Sequence, residues 1–266
     1  MGLLSCSSAQ RDYLKPFGYG TLALPKASVR PLTMLAKRGD RLTPIGPLAG
    51  TFPPGKLSLP MITTAPTASI SGSRSKAIDA SLGLDILGAA IGALSGSTLG
   101  FKAAYKDAST VEFEFGAVSE NSVNFTDLDE YMAATSPHPS IGPAIRDLLD
   151  EDEVFIVTST IETNQISVKG TTSSGTTLGL DVPVVQQLVG GKIAVSANGA
   201  SASTLTYTST DAPLAIGASV VRVFFEKNRY RAAKLVKPGS SPLGSSEEGR
   251  SRADAASEAP DLLIDL

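Results

Sequence analysis

Residues 99–116 read LGFKAAYKDASTVEFEFG. Leu99, Phe101, Ala103 and Tyr105 alternate with Gly100, Lys102, Ala104 and Lys106. Beyond the turn from Lys106 to Ser109, Val111, Phe113 and Phe115 alternate with Glu112, Glu114 and Gly116. A period of two is the signature of a strand, because successive side chains point to opposite faces. The stretch therefore predicts a hairpin with one apolar and one charged face. Each arm is about 8–10 residues long, close to the 9–11 of a tilted membrane-crossing strand. On alternation alone, a hairpin of an ordinary soluble β-sandwich fits equally well.

Upstream, a Thr/Ser/Ile-rich run over 61–73 predicts a strand. From Lys76 to Leu94 apolar residues recur at helical spacing, although Gly83, Gly88 and Gly92 weaken that helix by about 1 kcal/mol each relative to alanine. The stretch 43–60 holds five prolines, which makes it a loop or at best an edge strand. Residues 8–15 predict a short helix ended by Pro16, and 19–25 and 29–35 short extended or helical pieces.

Downstream, 126–135 and 141–151 predict two helices, the first capped by Thr126 with Asp129 and Glu130 in its first turn. Residues 153–161 and 164–172 read as a second hairpin, and Val182 to Val189 as a helix opened by Pro183. A strand pair over 192–196 and 203–209 flanks an Asn198-Gly199 turn. A β-rich run from Ala218 to Leu235 closes the body.

Charge is distributed unevenly. Residues 1–50 hold seven bases against two acids (+5), 222–237 six bases against one acid (+5), and 244–266 two bases against six acids (−4). Two basic blocks and an acidic tail invite an internal pairing that an anionic surface could later replace. From 238 to 260 the composition turns to Ser, Gly, Glu and Ala without apolar periodicity, which reads as a linker. The chain then ends on Leu262, Leu263, Ile264 and Leu266 among aspartates. Burying such a side chain contributes about 1.5–3 kcal/mol, so the tail is expected to fold back on the body. The division expected is a body over 1–237, a protease-sensitive linker over 238–260 and an inhibitory segment over 261–266.

The N-terminal residues add a resemblance. Cys6, then Tyr13-Leu14-Lys15, Phe17-Gly18-Tyr19, Leu24-Pro25-Lys26 and Val29-Arg30-Pro31-Leu32, resemble the start of bacterial gasdermins. About 30 residues carry this pattern; the rest is similar in layout. The resemblance implies an α+β fold with a twisted, mostly antiparallel central sheet and surrounding helices. It implies an autoinhibited monomer, released by proteolysis near the C-terminus, that oligomerises into a pore and kills the host cell in antiphage defence. It also implies palmitoylation at Cys6. The resemblance further implies a separately encoded protease as partner, for which Arg250 and Arg252 suit a trypsin-like cut, Asp254 a caspase-like one, and Leu243 or Glu248 other specificities.

In lipid every backbone polar group must be paired, so only helices or closed barrels cross. The membrane-inserting candidates are Phe101, Tyr105, Val111, Phe113 and Phe115 on the first hairpin. Each copy could supply four strands, from 97–106, 109–118, 154–162 and either 164–172 or 192–209. No secretory leader or apolar run of about 20 residues is present, so the chain is expected in the cytoplasm at rest and at the inner membrane, on anionic lipids, when active.

Enzyme chemistry is not expected. His138 is the single histidine and Cys6 the single cysteine, so neither a His-based triad nor a common zinc site assembles. No phosphate-cradling glycine motif appears, and no cofactor is expected. The carboxylates from Asp150 to Glu153 read as a solvated turn. The basic blocks lack interleaved aromatics apart from Tyr230, which argues against nucleic acid. The alternative function is a soluble β-rich binding or scaffold protein whose acidic tail recruits a partner.

Overall fold

The structure, a computed structural model, describes residues 19–26, 29–38, 41–67, 70, 75, 77–80, 87, 99–189, 193–197, 203–209, 213–226, 229–236 and 263–264. The strands are β1 (Gly20–Lys26), β2 (Thr33–Arg38), β3 (Arg41–Pro47), β4 (Ile62–Pro66), β5 (Ile78–Asp79), β6 (Thr110–Gly116) and β7 (Ser119–Val123). They continue with β8 (Val154–Thr163), β9 (Gln165–Thr171), β10 (Ile193–Ala197), β11 (Thr204–Ser209), β12 (Leu214–Glu226), β13 (Arg229–Leu235) and β14 (Leu263–Ile264). The helices are α1 (Leu48–Thr51), α2 (Leu99–Ala104), α3 (Phe125–Ala134), α4 (Pro143–Asp150) and α5 (Val182–Val189).

Among the described residues the strands form two sheets. One runs β13-β12-β1-β14-β3-β2-β8-β7-β4, with β12 also paired to β8; the other runs β10-β11-β9-β6-β5. Apart from the two pairings of β14, every pairing is antiparallel.

The first half of β8, Val154 to Val157, is an unbroken apolar run because it is covered on both faces. Val154 and Ile156 join a core with Leu128, Tyr131 and Met132 of α3 and Leu149 of α4. Phe155 and Val157 point the other way, into a smaller core with Leu35, Leu42, Ala218 and Val220. A third core fills the space under the smaller sheet.

Three expectations change. The arm at 99–106 is not a strand: Leu99–Ala104 is helical, and Thr110–Gly116 pairs with β9 and β5 instead. Phe101 and Tyr105 stand four apart, a spacing that puts side chains on one face of a helix as well as of a strand. Ala103 decides between them, because a strand would bury it with its neighbours and it is exposed. The helix expected from Lys76 begins differently, with Ile78–Asp79 held as β5 against Val111 and Thr110.

The strands at 153–161 and 164–172 form, but not as a hairpin: β8 lies in the larger sheet and β9 in the smaller. One residue, Asn164, separates them, and a tight hairpin loop needs two. The proline-rich stretch from 43 carries β3 on to Pro47, where it pairs with β2 alone among the described residues, as the expected edge strand would. Pro44 and Pro47 are tolerated because, among the described residues, β14 pairs with Arg41 and Leu42 and leaves both prolines beyond the covered part of that edge.

The helices over 125–134, 143–150 and 182–189 match expectation, as does the strand pair β10–β11. The cap of α3 is Asn124 rather than Thr126: its Oδ1 accepts the N–H groups of Thr126 and Asp127.

Candidate functional site

The first functional element is a closed circuit of strands. β12 pairs with β1, β1 with β14, β14 with β3, β3 with β2, β2 with β8, and β8 with β12 again. Inside lie Leu35, Leu42, Phe155, Val157, Ala218 and Val220. The circuit closes only through β14, whose Ile264 stands opposite Leu22 on one side and Leu42 on the other. Among the described residues β1 and β3 have no direct pairing. A two-residue strand from the end of the chain is thus the stave that completes the ring.

The second element is a ribbon that belongs to both sheets. β7 pairs with β8 in the larger sheet and β6 with β9 in the smaller. Ser119 stands opposite Glu162 and Gly116 opposite Gln165, leaving two residues on each side between these pairs. The register therefore passes through the corner without a slip. Ala117 takes the bend in a left-handed conformation, φ 49°.

Val111, Phe113 and Phe115 lie on the inner face of this ribbon, 1%, 3% and 6% exposed. Phe101 from α2 and Tyr105 from the turn that follows it reach the same core, with ring centroids 5.1 Å apart. All five membrane-inserting candidates therefore share one buried cluster, although Phe101 arrives from a helix and Tyr105 from the turn after it. Glu112 and Glu114 take the outer face, and Glu112 pairs with Lys169 across the ribbon at 3.9 Å.

Two buried hydroxyls finish this core. Tyr207 donates to Tyr105 at 3.1 Å, and Tyr105 donates to the Val168 carbonyl at 3.4 Å. Burial pushes both phenols above their ordinary pKa, so both are neutral at physiological pH.

The carboxylate run from Asp150 contains a buried member rather than being solvated throughout. Asp152 is 6% exposed; its Oδ1 accepts the Phe225 N–H and its carbonyl accepts Nε of Arg222. The guanidinium of Arg222 lies 5.9 Å from the Phe155 ring centroid and 5.3 Å from that of Phe224. No group of three His, Cys, Asp or Glu among the described residues could hold a metal ion.

Cys6, Leu243, Glu248, Arg250, Arg252, Asp254, Leu262 and Leu266 lie outside the described residues. Leu263 and Ile264 are placed by the backbone pairing of β14. No described helix is long and apolar enough to cross a membrane. The ribbon corner escaped sequence reading, yet one signal was present: no Asn-Gly or similar turn pair separates the runs at 153–161 and 164–172.

The model of the Bacterial Gasdermin Family matches residues 22–233. The chain is 36% identical over 240 residues to a gasdermin of Lysobacter enzymogenes, covering 89% of this chain and 88% of that one. It is 35% identical over 253 residues to a gasdermin of a Desulfuromonadales bacterium, covering 94% of each. Its fold is similar to that of a bacterial gasdermin from Bradyrhizobium tropiciagri, with a TM-score of 0.64 at 13% identity, covering 97% of this chain and 96% of the other.

Proposed function

The chain belongs to the bacterial gasdermin family, and on that premise we propose that it is a pore-forming effector held inactive by its own C-terminal segment. The observation that carries this reading is the seat of β14 between β1 and β3. A two-residue strand held by backbone pairing is a weak fastening once the chain behind it is cut. Cleavage within 238–260 turns the tail from a tethered neighbour into a free peptide, and its effective concentration falls to that of solution. Leu262, Leu263, Ile264 and Leu266 are the proposed inhibitory contacts. Leu243, Glu248, Arg250, Arg252 and Asp254 are the proposed cut positions for a trypsin-like, caspase-like or other protease.

Release opens the ring between β1 and β3 and frees the sheets to rearrange. The apolar row Val111, Phe113 and Phe115 then exchanges a protein core for lipid, with Phe101 and Tyr105 beside it. Copies of the chain close the barrel together, because an open edge in hydrocarbon leaves backbone groups unpaired. Palmitate on Cys6 adds about 0.8 kcal/mol per buried methylene to membrane attachment. The basic blocks draw the released body to anionic lipid. In the cell this takes the protein from the cytoplasm to the inner membrane and kills the host as antiphage defence.

The test is release of dye from anionic liposomes by the full chain before and after complete nicking within 238–260. The expected result is no release before and rapid release after. Retention of dye after complete nicking overturns the proposal.

A further inference from the structure

β10 is an outer strand of the smaller sheet. A strand in that place presents N–H and C=O groups that invite another strand to pair. Here a side chain pairs with them. Nε2 of Gln186 donates to the Ile193 carbonyl at 2.7 Å, and its Oε1 accepts the Val195 N–H at 2.8 Å. Residues 193 and 195 turn the same edge outward, so the primary amide occupies the positions that the N–H and C=O of one residue of an incoming parallel strand would take.

Gln186 sits on α5, which carries no charged residue. Val185 anchors that helix in the core of the smaller sheet at 3% exposure, while Val184 and Leu188, four residues apart, remain exposed at 52% and 39%. Val185 is the buried side chain of this helix, Val182 packs beside it partly buried, and α2 lies against it, so its outer face and the amide contact are the parts free to let go.

We propose that the outer edge of β10 is a docking edge for an extended segment of a second copy of this chain, and that Gln186 holds it closed. This rests on the pore-forming reading and adds a surface and a latch to it. The chain itself supplies the segment that fits. β4 is an edge strand of the larger sheet, all five of its residues are exposed, and it carries no charge. β10 is likewise five residues long and uncharged, so the two edges meet without burying an ion. When α5 swings away, the amide leaves and the second copy's β4 replaces it.

The experiment uses full chain nicked within 238–260 and dye-loaded anionic liposomes. Gln186→Leu keeps the bulk of the side chain and removes both hydrogen bonds. It is expected to speed dye release about tenfold, the factor corresponding to about 1.4 kcal/mol, which lies within what two hydrogen bonds supply. Tyr131→Phe is the control for general loosening, since it removes the hydrogen bond to the Phe52 carbonyl in a different core. Equal release rates for Gln186→Leu and wild type, or the same acceleration in Tyr131→Phe, overturn the latch. A photo-crosslinking residue in place of Thr64, in an equal mixture of isotopically heavy and light chains, identifies the occupant. Mixed heavy-light crosslinks to residues 193–197 are expected, and their absence on activated membranes overturns the role of β4. Failure of nicked wild type to release any dye is a failure of the pore-forming reading itself.

Discussion

Thr163 donates its hydroxyl hydrogen to the Gly116 carbonyl at 2.5 Å, and the same oxygen accepts the Gln165 N–H at 3.0 Å. This one side chain ties both strands of the ribbon where they leave one sheet for the other. Thr163 is 2% exposed, so water cannot readily replace it. Thr163→Val is expected to cost about 1–3 kcal/mol, the penalty for buried polar groups left without a partner. Thr163→Ser keeps the hydroxyl and should cost much less. Urea midpoints of the two variants check this, and equal midpoints would place the corner's stability elsewhere.

β14 is held in the ring by backbone pairing, which suggests a substitution aimed at the backbone. Proline has no N–H and resists the ladder of an interior strand. Ile264→Pro is therefore expected to unseat β14 with the linker intact. Dye release from anionic liposomes without any protease is the outcome expected of the full chain. Ile264→Val, compatible with a strand, should stay silent. Silence of both would show that the ring does not depend on this pairing.

Much of this fold could be read from the sequence because several elements carry a single periodicity. Val111, Phe113 and Phe115 alternate cleanly with Glu112 and Glu114, and that arm is a strand with the expected inner face. Phe101 and Tyr105 misled because a spacing of four satisfies a strand and a helix alike. Pairing is a further step removed. β8 and β9 were each recognisable, but which sheet accepts them depends on a corner built by Thr163 and Gly116, 47 residues apart. Asp152 was hidden for the same reason, since its partners Arg222 and Phe225 lie on β12, far along the chain. Gln186 has no signature at all in one dimension: a glutamine on a short helix becomes an edge guard only when β10 is beside it.

Arg222 tests how the larger sheet holds its charges. Its guanidinium donates through Nε to the Asp152 carbonyl at 2.7 Å and lies against the rings of Phe155 and Phe224. Burial lowers its pKa, while Asp152 and Glu153 oppose that shift by attraction. Arg222→Lys keeps the charge but loses the planar donor and the stacking surface. It is expected to recover less than half of the loss caused by Arg222→Ala, itself about 1.5–3 kcal/mol when a half-buried hydrogen-bonded cation is removed. Denaturation midpoints decide this, and full recovery by lysine would mean that charge alone matters.

The tyrosines predict how the protein yields to base. The chain has six; Tyr19, Tyr105, Tyr131, Tyr207 and Tyr230 are described, and burial raises the pKa of each above its ordinary value of 10.0. Hydrogen bonding to carboxylates reinforces the shift at Tyr19, through Glu120, and at Tyr230, through Asp129. The sign follows from which state holds the proton. A folded pKa above the unfolded one means that the folded state keeps its phenol protons longer, so this contribution to stability is complete below about pH 10. Above that value the unfolded chain loses protons that the folded chain retains, and stability falls as pH climbs toward the folded pKa values. Four buried phenols and the partly buried one of Tyr230 acting together make that fall steep. Phenolate absorbance from these five should therefore stay low past pH 10 and then rise in one step together with loss of the strand signal in circular dichroism. Gradual ionisation of most tyrosines near pH 10, with the strands intact, would mean that water reaches these hydroxyls in the folded protein.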